Sequence, residues 1–403
     1  MIDRKLIDTC ERNLQDKFKI LEDVALFNQE KVLNAFKKNQ VALRHFVGTS
    51  GYGYGDEGRD TLNKLVADIF CAEQAICSPQ IVSGTHALSL CLFGTTRPGD
   101  KILSITGEPY DTLHDVISGV GIGSLKDYNV SFDYIDLKNG KIDKQIINEY
   151  LSKNGFPTMI YMQRSRGYEW RDALTISDIE DAVKFLRNLG YNGLIMLDNC
   201  YGEFIETREA TEVGVNLMAG SMIKNIGGGI APTGGYVVGD TKYVEQVQNR
   251  LTAPSIGGEV SSYAYGYQYF YQGLFLAPHT VLQALKGSLL FGEVLGELGY
   301  ETSPSKDKLP GDIIRAIKFG NEKDLIKFIQ GIQANSPIDS HVLALPWAMP
   351  GYENEVIMAA GCFVQGSSIE LSADAPIKPP YIAYLQGGIT YEHCKIALQN
   401  IDL

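Results

Sequence analysis

Between about residue 79 and residue 198 short apolar runs alternate with helical stretches, and no other feature limits the fold as much. QIVS precedes THALSLCLFG, KILSIT precedes a stretch near DTLHDVIS, FDYID precedes KQIINEYLSK, TMIYMQ precedes ISDIEDAVKFLRNLG, and GLIMLD closes the series. This alternation predicts an α/β protein with a mostly parallel sheet sandwiched by helices. Runs such as GLIML are apolar throughout, as strands buried on both faces are.

The flanking segments read differently. Residues 3–38 predict one helix, with Leu6, Leu14, Phe18, Leu21, Val24, Leu26 and Phe27 recurring among charges and no Gly or Pro. GTSGYGYGDEGRD, residues 48–60, is too glycine-rich for helix or strand, and Asp60 is the expected cap of the helix that follows. After about residue 240 the pattern turns helical. KYVEQVQNRL predicts one helix, and the tyrosine-rich stretch from SSYAYGYQYF to GEVLGEL predicts a long connector whose aromatics serve packing. The last hundred residues predict a small α+β domain. A chain of 403 residues exceeds one typical core, and the expected division is 1–60, 61–270 and 271–403.

A net charge of −12 with the two signs interspersed argues against nucleic acid or an anionic membrane as the main partner. No apolar run approaches the roughly 20 residues that span a bilayer. Seven cysteines, with no CxxC, predict neither a disulfide framework nor a zinc or other metal site. Cys71, Cys77 and Cys91 read as small core hydrophobes, and a reducing cytoplasm fits this usage.

Three stretches converge on one chemistry. Lys224 is the only charged residue between Glu212 and Asp240. Desolvation lowers a lysine pKa and frees the amine to attack carbonyls; the alternative is a surface loop lysine. Asp198 ends a buried strand and is the only charge between Arg187 and Glu203. Ligands of open α/β sheets bind at such strand ends, although an Asp-Asn turn cap is the competing reading. Ser83-Gly84-Thr85-His86 joins a strand to a helix N-terminus, which suits a phosphate, or forms an ordinary turn. Ser221 is placed to add a phosphate contact. Gly227, Gly228 and Gly229 are expected to leave room beside the ligand. Phosphate cradle, carboxylate and imine-forming lysine together are the parts needed to hold pyridoxal 5′-phosphate (PLP). Neither GxGxxG nor a P-loop is present, which disfavours a nucleotide-binding protein.

The blocks GYGYGDEGRDTL, GEPYDTLHDVI, QRSRGYEWR, SMIKNIGGGIAPTGGY and SADAPIKPPYIAYLQGG resemble those of fold-type I PLP enzymes of the cysteine/methionine-metabolism branch. The resemblance points to the methionine γ-lyase-like proteins, also called aluminium-resistance or cystathionine β-lyase-like proteins, and spans residue 51 to about 389. It implies a homo-oligomeric carbon–sulfur lyase, dimeric or tetrameric, acting on a small sulfur-containing amino acid by β- or γ-elimination. It implies further that Tyr110 stacks on the cofactor and handles a proton. Tyr54 and Arg59 would reach the phosphate of a neighbouring subunit, with a solvated loop as the alternative for both and above all for Tyr54. Arg164 or, better, Arg166 would bind substrate, and His86 either faces the cofactor or is a first-turn residue. Relatives hold the substrate carboxylate with a C-terminal arginine. None follows Arg315 here, and Lys378 is the nearest substitute, a point charge without the fork of a guanidinium. An aminotransferase, or a PLP-binding protein with a degraded substrate site, stays open on these residues.

Overall fold

The structure, a computed structural model, describes residues 1–349 and 354–403. Two helices open the chain where one is expected: α1 (Arg4–Asn13) and α2 (Gln15–Lys38), separated at Leu14. Leu14 leaves helical geometry with ψ −2° while its side chain stays in the core. The helix after the glycine-rich arm, α3 (Glu57–Ile69), starts ahead of Asp60. Asp56 caps it: one carboxylate oxygen accepts the Arg59 N–H at 2.9 Å and the other accepts the Tyr267 hydroxyl at 2.8 Å. The tertiary bond to Tyr267 selects Asp56 over Asp60.

The alternating region then builds β1 (Gln74–Ser78), α4 (Gly84–Thr95), β2 (Lys101–Ser104), α5 (Asp111–Ser118), β3 (Ser131–Tyr134), α6 (Lys144–Asn154), β4 (Met159–Gln163), α7 (Ile176–Asn188) and β5 (Leu194–Asp198). It continues through β6 (Leu217–Ser221), β7 (Gly235–Gly239) and α8 (Thr241–Leu251). The seven strands form one sheet in the order β1-β7-β6-β5-β4-β2-β3. Only β7 runs antiparallel to its neighbours. Every residue of β4, β5, β6 and β7 is buried, as sheets covered on both faces require. The first strand is QAICS and not QIVS. Pairing with β7 fixes it, and Ile81 instead plugs the turn against Gly235 and Ala87. Cys77 and Cys91 are buried as expected, but Cys71 is exposed at φ 50°, in the turn after α3.

The long helix α9 (Gln268–Glu297) begins later than the tyrosine-rich stretch suggests. By length and composition it is apolar enough to cross a bilayer, against the reading that no such run exists, and here it is largely buried in the core. Beyond it come β8 (Glu301–Ser303), β9 (Ile314–Lys318), α10 (Glu322–Ala334), β10 (Val356–Ala359), β11 (Ser372–Pro376), β12 (Ile382–Gln386) and α11 (Tyr391–Asn400). Their strands make an antiparallel sheet in the order β10-β11-β12-β9-β8. Parallel register at the carboxyl ends of β4 and β5 sets Gln163 beside Asp198, and Asp198 pairs with Ala219 of β6, two residues before Ser221. Strand order alone therefore gathers residues that are far apart in sequence.

Candidate active site

A cavity of about 350 Å³ opens at these strand ends. The start of α4 forms one wall. Ser83 caps that helix, its hydroxyl accepting the His86 N–H at 3.0 Å, and the amides of the first turn have no partner within the helix. Gly84 keeps the approach open, because a Cβ there would stand 3.3 Å from Ser221 Cβ and 3.4 Å from the Cys200 sulfur. Thr85 lines the cavity, and its hydroxyl lies 2.7 Å from that of Tyr110. Tyr110 is held at its backbone, where its N–H donates to Gln163 Oε1 at 3.1 Å. Burial, aided by the nearby Asp198 charge, pushes the Tyr110 phenol above its usual range.

Asp198 is 3% exposed and accepts from Cys200, from its N–H at 3.0 Å and from its thiol. Among the described residues it forms no ion pair, and burial raises its pKa. Lys224 also lines the cavity, with Nζ 3.9 Å from the ring centroid of Tyr201. Burial by itself would lower its pKa, but Cys200, Tyr201, Asp198 and Tyr110 outweigh burial and hold the ammonium above its usual range. The lowered pKa expected from its charge-free flanks is thus corrected: the flanks lack charge, and the fold brings acidic groups from other strands. The glycines after Lys224 also do different work. A Cβ at Gly228, whose φ is 59°, would stand 2.4 Å from the Gly273 carbonyl, so this glycine lets the loop press on α9.

Gly84, Thr85, Tyr110, Asp198, Ser221 and Lys224 meet in the cavity. Other expected residues do not reach it. All three nitrogens of the Arg164 guanidinium are engaged, with Leu174 O, Asn199 Oδ1, Gly202 O and Glu206 Oε1. That side chain ties β4 to the loop after β5. Arg166 donates from Nη1 to the Ser303 carbonyl and hydroxyl at 2.9 Å each, and its Nε and Nη2 are buried without a partner among the described residues. Arg166 and the exposed Lys378 border an adjoining chamber of about 570 Å³, which shares Tyr110, Gln163 and Tyr168 with the first. Within its own chain Arg59 serves the arm: it donates to Gly53 O and Ser261 O and pairs with Asp60. Tyr54 is 68% exposed and sits against Tyr52. His86 proves a first-turn residue whose Nδ1 accepts the Val82 N–H at 3.2 Å.

Sequence reasoning missed Gln163, Cys200, Tyr201, Asp374, Tyr384 and Gln386, all of which line the cavity. Tyr201 adopts φ 70°, a left-handed conformation that bulky residues rarely hold. Asp374 carried one signal: it is the only charge between Glu370 and Lys378.

Residues 3–402 match the family model for methionine gamma-lyase. The chain belongs to the methionine gamma-lyase family. It is 46% identical to the Bacillus subtilis (strain 168) protein YnbB, covering 98% of this chain and 94% of that one. A Clostridium novyi NT structure named as a carbon-sulfur lyase involved in aluminum resistance superposes with a TM-score of 0.94 at 49% identity, covering 98% of this chain and 94% of the other. A Listeria innocua structure, a candidate cystathionine beta-lyase involved in aluminum resistance, gives a TM-score of 0.96 at 47% identity over 100% of this chain and 99% of the other. The architecture is that of fold-type I PLP enzymes. The residues of this methionine gamma-lyase family member fit that cofactor. Asp198 is a buried carboxylate with no ion pair among the described residues, Gly84 keeps a helix N-terminus clear, and Lys224 faces the same cavity.

Proposed function

We propose that the protein is a PLP-dependent carbon–sulfur lyase that cleaves a sulfur-containing amino acid by β- or γ-elimination. The observation that carries this reading is the single cavity shared by Lys224, Asp198, the α4 N-terminus and Tyr110. Thr85, Ser221 and the first amides of α4 would hold the cofactor phosphate. Asp198 would face the ring nitrogen, Tyr110 would stack on the ring, and Lys224 would carry the aldehyde carbon. When bound, the cofactor supplies an electron sink for the pair left at the substrate α-carbon.

The chain's own groups do the proton work. Lys224 Nζ, as the neutral amine, would take the α-proton. The Tyr110 phenol, kept protonated by burial, gives its proton to the departing sulfur. Thr85 fixes the direction of that hydroxyl. Lys378, at the edge of the adjoining chamber, is the cation available to a substrate carboxylate there. Tyr54 and Arg59 would act on a neighbouring subunit's site in a homo-oligomer.

Incubation of the purified, PLP-loaded protein with cystathionine or cysteine alone tests the reading. Repeated release of ammonia and an oxo-acid supports elimination. Turnover that stops after one equivalent and resumes only on addition of a keto-acid identifies an aminotransferase instead.

A further inference from the structure

The wall that the small sheet gives the cavity carries one charged side chain. Asp374 of β11 stands opposite Tyr384 of β12, and both line the cavity with Gln386. The β11 neighbours of Asp374, Ala373 and Ala375, are fully buried, whereas Asp374 keeps partial exposure. Its carboxylate accepts from Gln386 Nε2 at 2.8 Å and from the Tyr168 hydroxyl. Both donors are neutral, and among the described residues no Lys, Arg or His forms an ion pair with it. Burial pushes its carboxyl up to about 6.

The hydrogen bonds of Asp374 come from neutral donors and Lys224 acts on it only through space, without an ion pair, so this largely enclosed carboxylate retains charge that a closer cation can compensate. Among the described residues, Lys224 is the only cation lining the cavity. The substrate's α-amino group belongs beside Lys224, so a cation that meets Asp374 must be a second one. We propose that Asp374 selects substrates whose sulfur-bound portion ends in a primary ammonium, such as a thioether joining two amino acids, over alkyl thioethers such as methionine. The proposal rests on the lyase reading of the cavity. The adjoining chamber, bordered by Gln163, Tyr168 and Lys378, offers space and a positive charge for the carboxylate of such a distal half.

Two probes isolate the ammonium: S-(2-aminoethyl)cysteine and S-propylcysteine, equal in length and differing in the terminal charge. The wild-type holoenzyme should favour the aminoethyl compound in kcat/KM by about 10-fold or more, the range of a hydrogen bond to a charged group. Asp374→Asn should bring that ratio close to one through KM, with kcat little changed, and calorimetric Kd values for the two probes should move in parallel. Absence of preference in the wild type overturns the proposal whatever the variant does. So does a preference that survives in folded Asp374→Asn, or a variant in which both probes decline equally, the result for a side chain that only braces β11 on β12. If Asp374→Asn does not fold by thermal melting, Asp374→Ser is measured in its place under the same criteria. A calorimetric preference without elimination of either probe sinks the lyase reading and leaves the role of Asp374 standing.

Discussion

The hydroxyls of Thr85 and Tyr110 lie 2.7 Å apart at the start of α4, close enough for one to donate to the other. Burial keeps the Tyr110 proton on the phenol, and Gln163 fixes its backbone. On the proposed lyase reading, the phenol is a positioned acid. General acid catalysis contributes on the order of 10² to 10⁴ in rate. Tyr110→Phe should therefore lower kcat for cystathionine by about 10² or more while the protein still folds. Thr85→Val should lower it less, because the acid remains and only its aim is lost. Equal kcat in wild type and Tyr110→Phe would remove the tyrosine from proton transfer.

Lys224 is the second case. With Nζ over the Tyr201 ring, it is the only amine lining the cavity among the described residues. Purified protein given PLP should absorb in the visible, and Lys224→Ala should lose that band and its lyase activity. Cofactor should still bind the variant through the α4 N-terminus and Asp198. Equilibrium dialysis with PLP measures this; an unchanged band in Lys224→Ala would falsify the assignment.

Glu203 predicts a pH effect on stability. It is fully buried, with Oε1 accepting the Tyr236 hydroxyl at 2.7 Å and Oε2 unpaired among the described residues. Burial raises its pKa from 4.5 to about 7. The folded state therefore holds this proton where the unfolded state has released it. The stability it confers is complete below pH 4.5 and declines as pH rises through about 7. The loss reaches up to about 3 kcal/mol. Glu203→Gln keeps an acceptor for Tyr236 and cannot ionise. Denaturant unfolding at pH 5 and pH 8 should show the wild type losing stability relative to the variant by an amount of this order. Parallel curves would mean that Glu203 is not protonated in the fold.

What the sequence reveals, and what it hides, follows from where the decisive contacts lie. Asp198 and Lys224 stand alone as charges in apolar surroundings, so burial is written into their neighbours. The α4 start is legible because Ser83 and Gly84 mark a strand-to-helix junction. Arg164 looks free in sequence, but its partners Asn199, Gly202 and Glu206 come from another strand's loop. Asp198, whose carboxylate favours the Lys224 ammonium, likewise comes near it through strand order. Asp374 becomes a cavity residue only once β11 pairs with β12 and that sheet meets the carboxyl ends of β4 and β5. The slip from QIVS to QAICS has the same origin. Ile81 satisfies a hydrophobic pattern while sitting in a turn, and only the pairing with β7 distinguishes the two.

Asp198 finally separates cofactor function from fold stability, because the two pull in opposite directions. Its carboxylate is 3% exposed, accepts hydrogen bonds only from Cys200 among the described residues and has no ion pair among them. Without cofactor, that charge opposes folding, since burial raises its pKa above the unfolded value. Asp198→Asn removes the charge and keeps an oxygen for the Cys200 N–H. The cofactor-free variant should therefore melt at the same temperature as wild type or higher near pH 7. The loaded variant should lose most lyase activity, because nothing then keeps the ring nitrogen protonated, and Asp198→Glu should retain part of it. Thermal melts of cofactor-free and PLP-loaded protein, paired with kcat, read both effects in the same samples. A variant that melts well below wild type without cofactor, yet turns over normally with it, would show that Asp198 is a structural cap and not the partner of the ring.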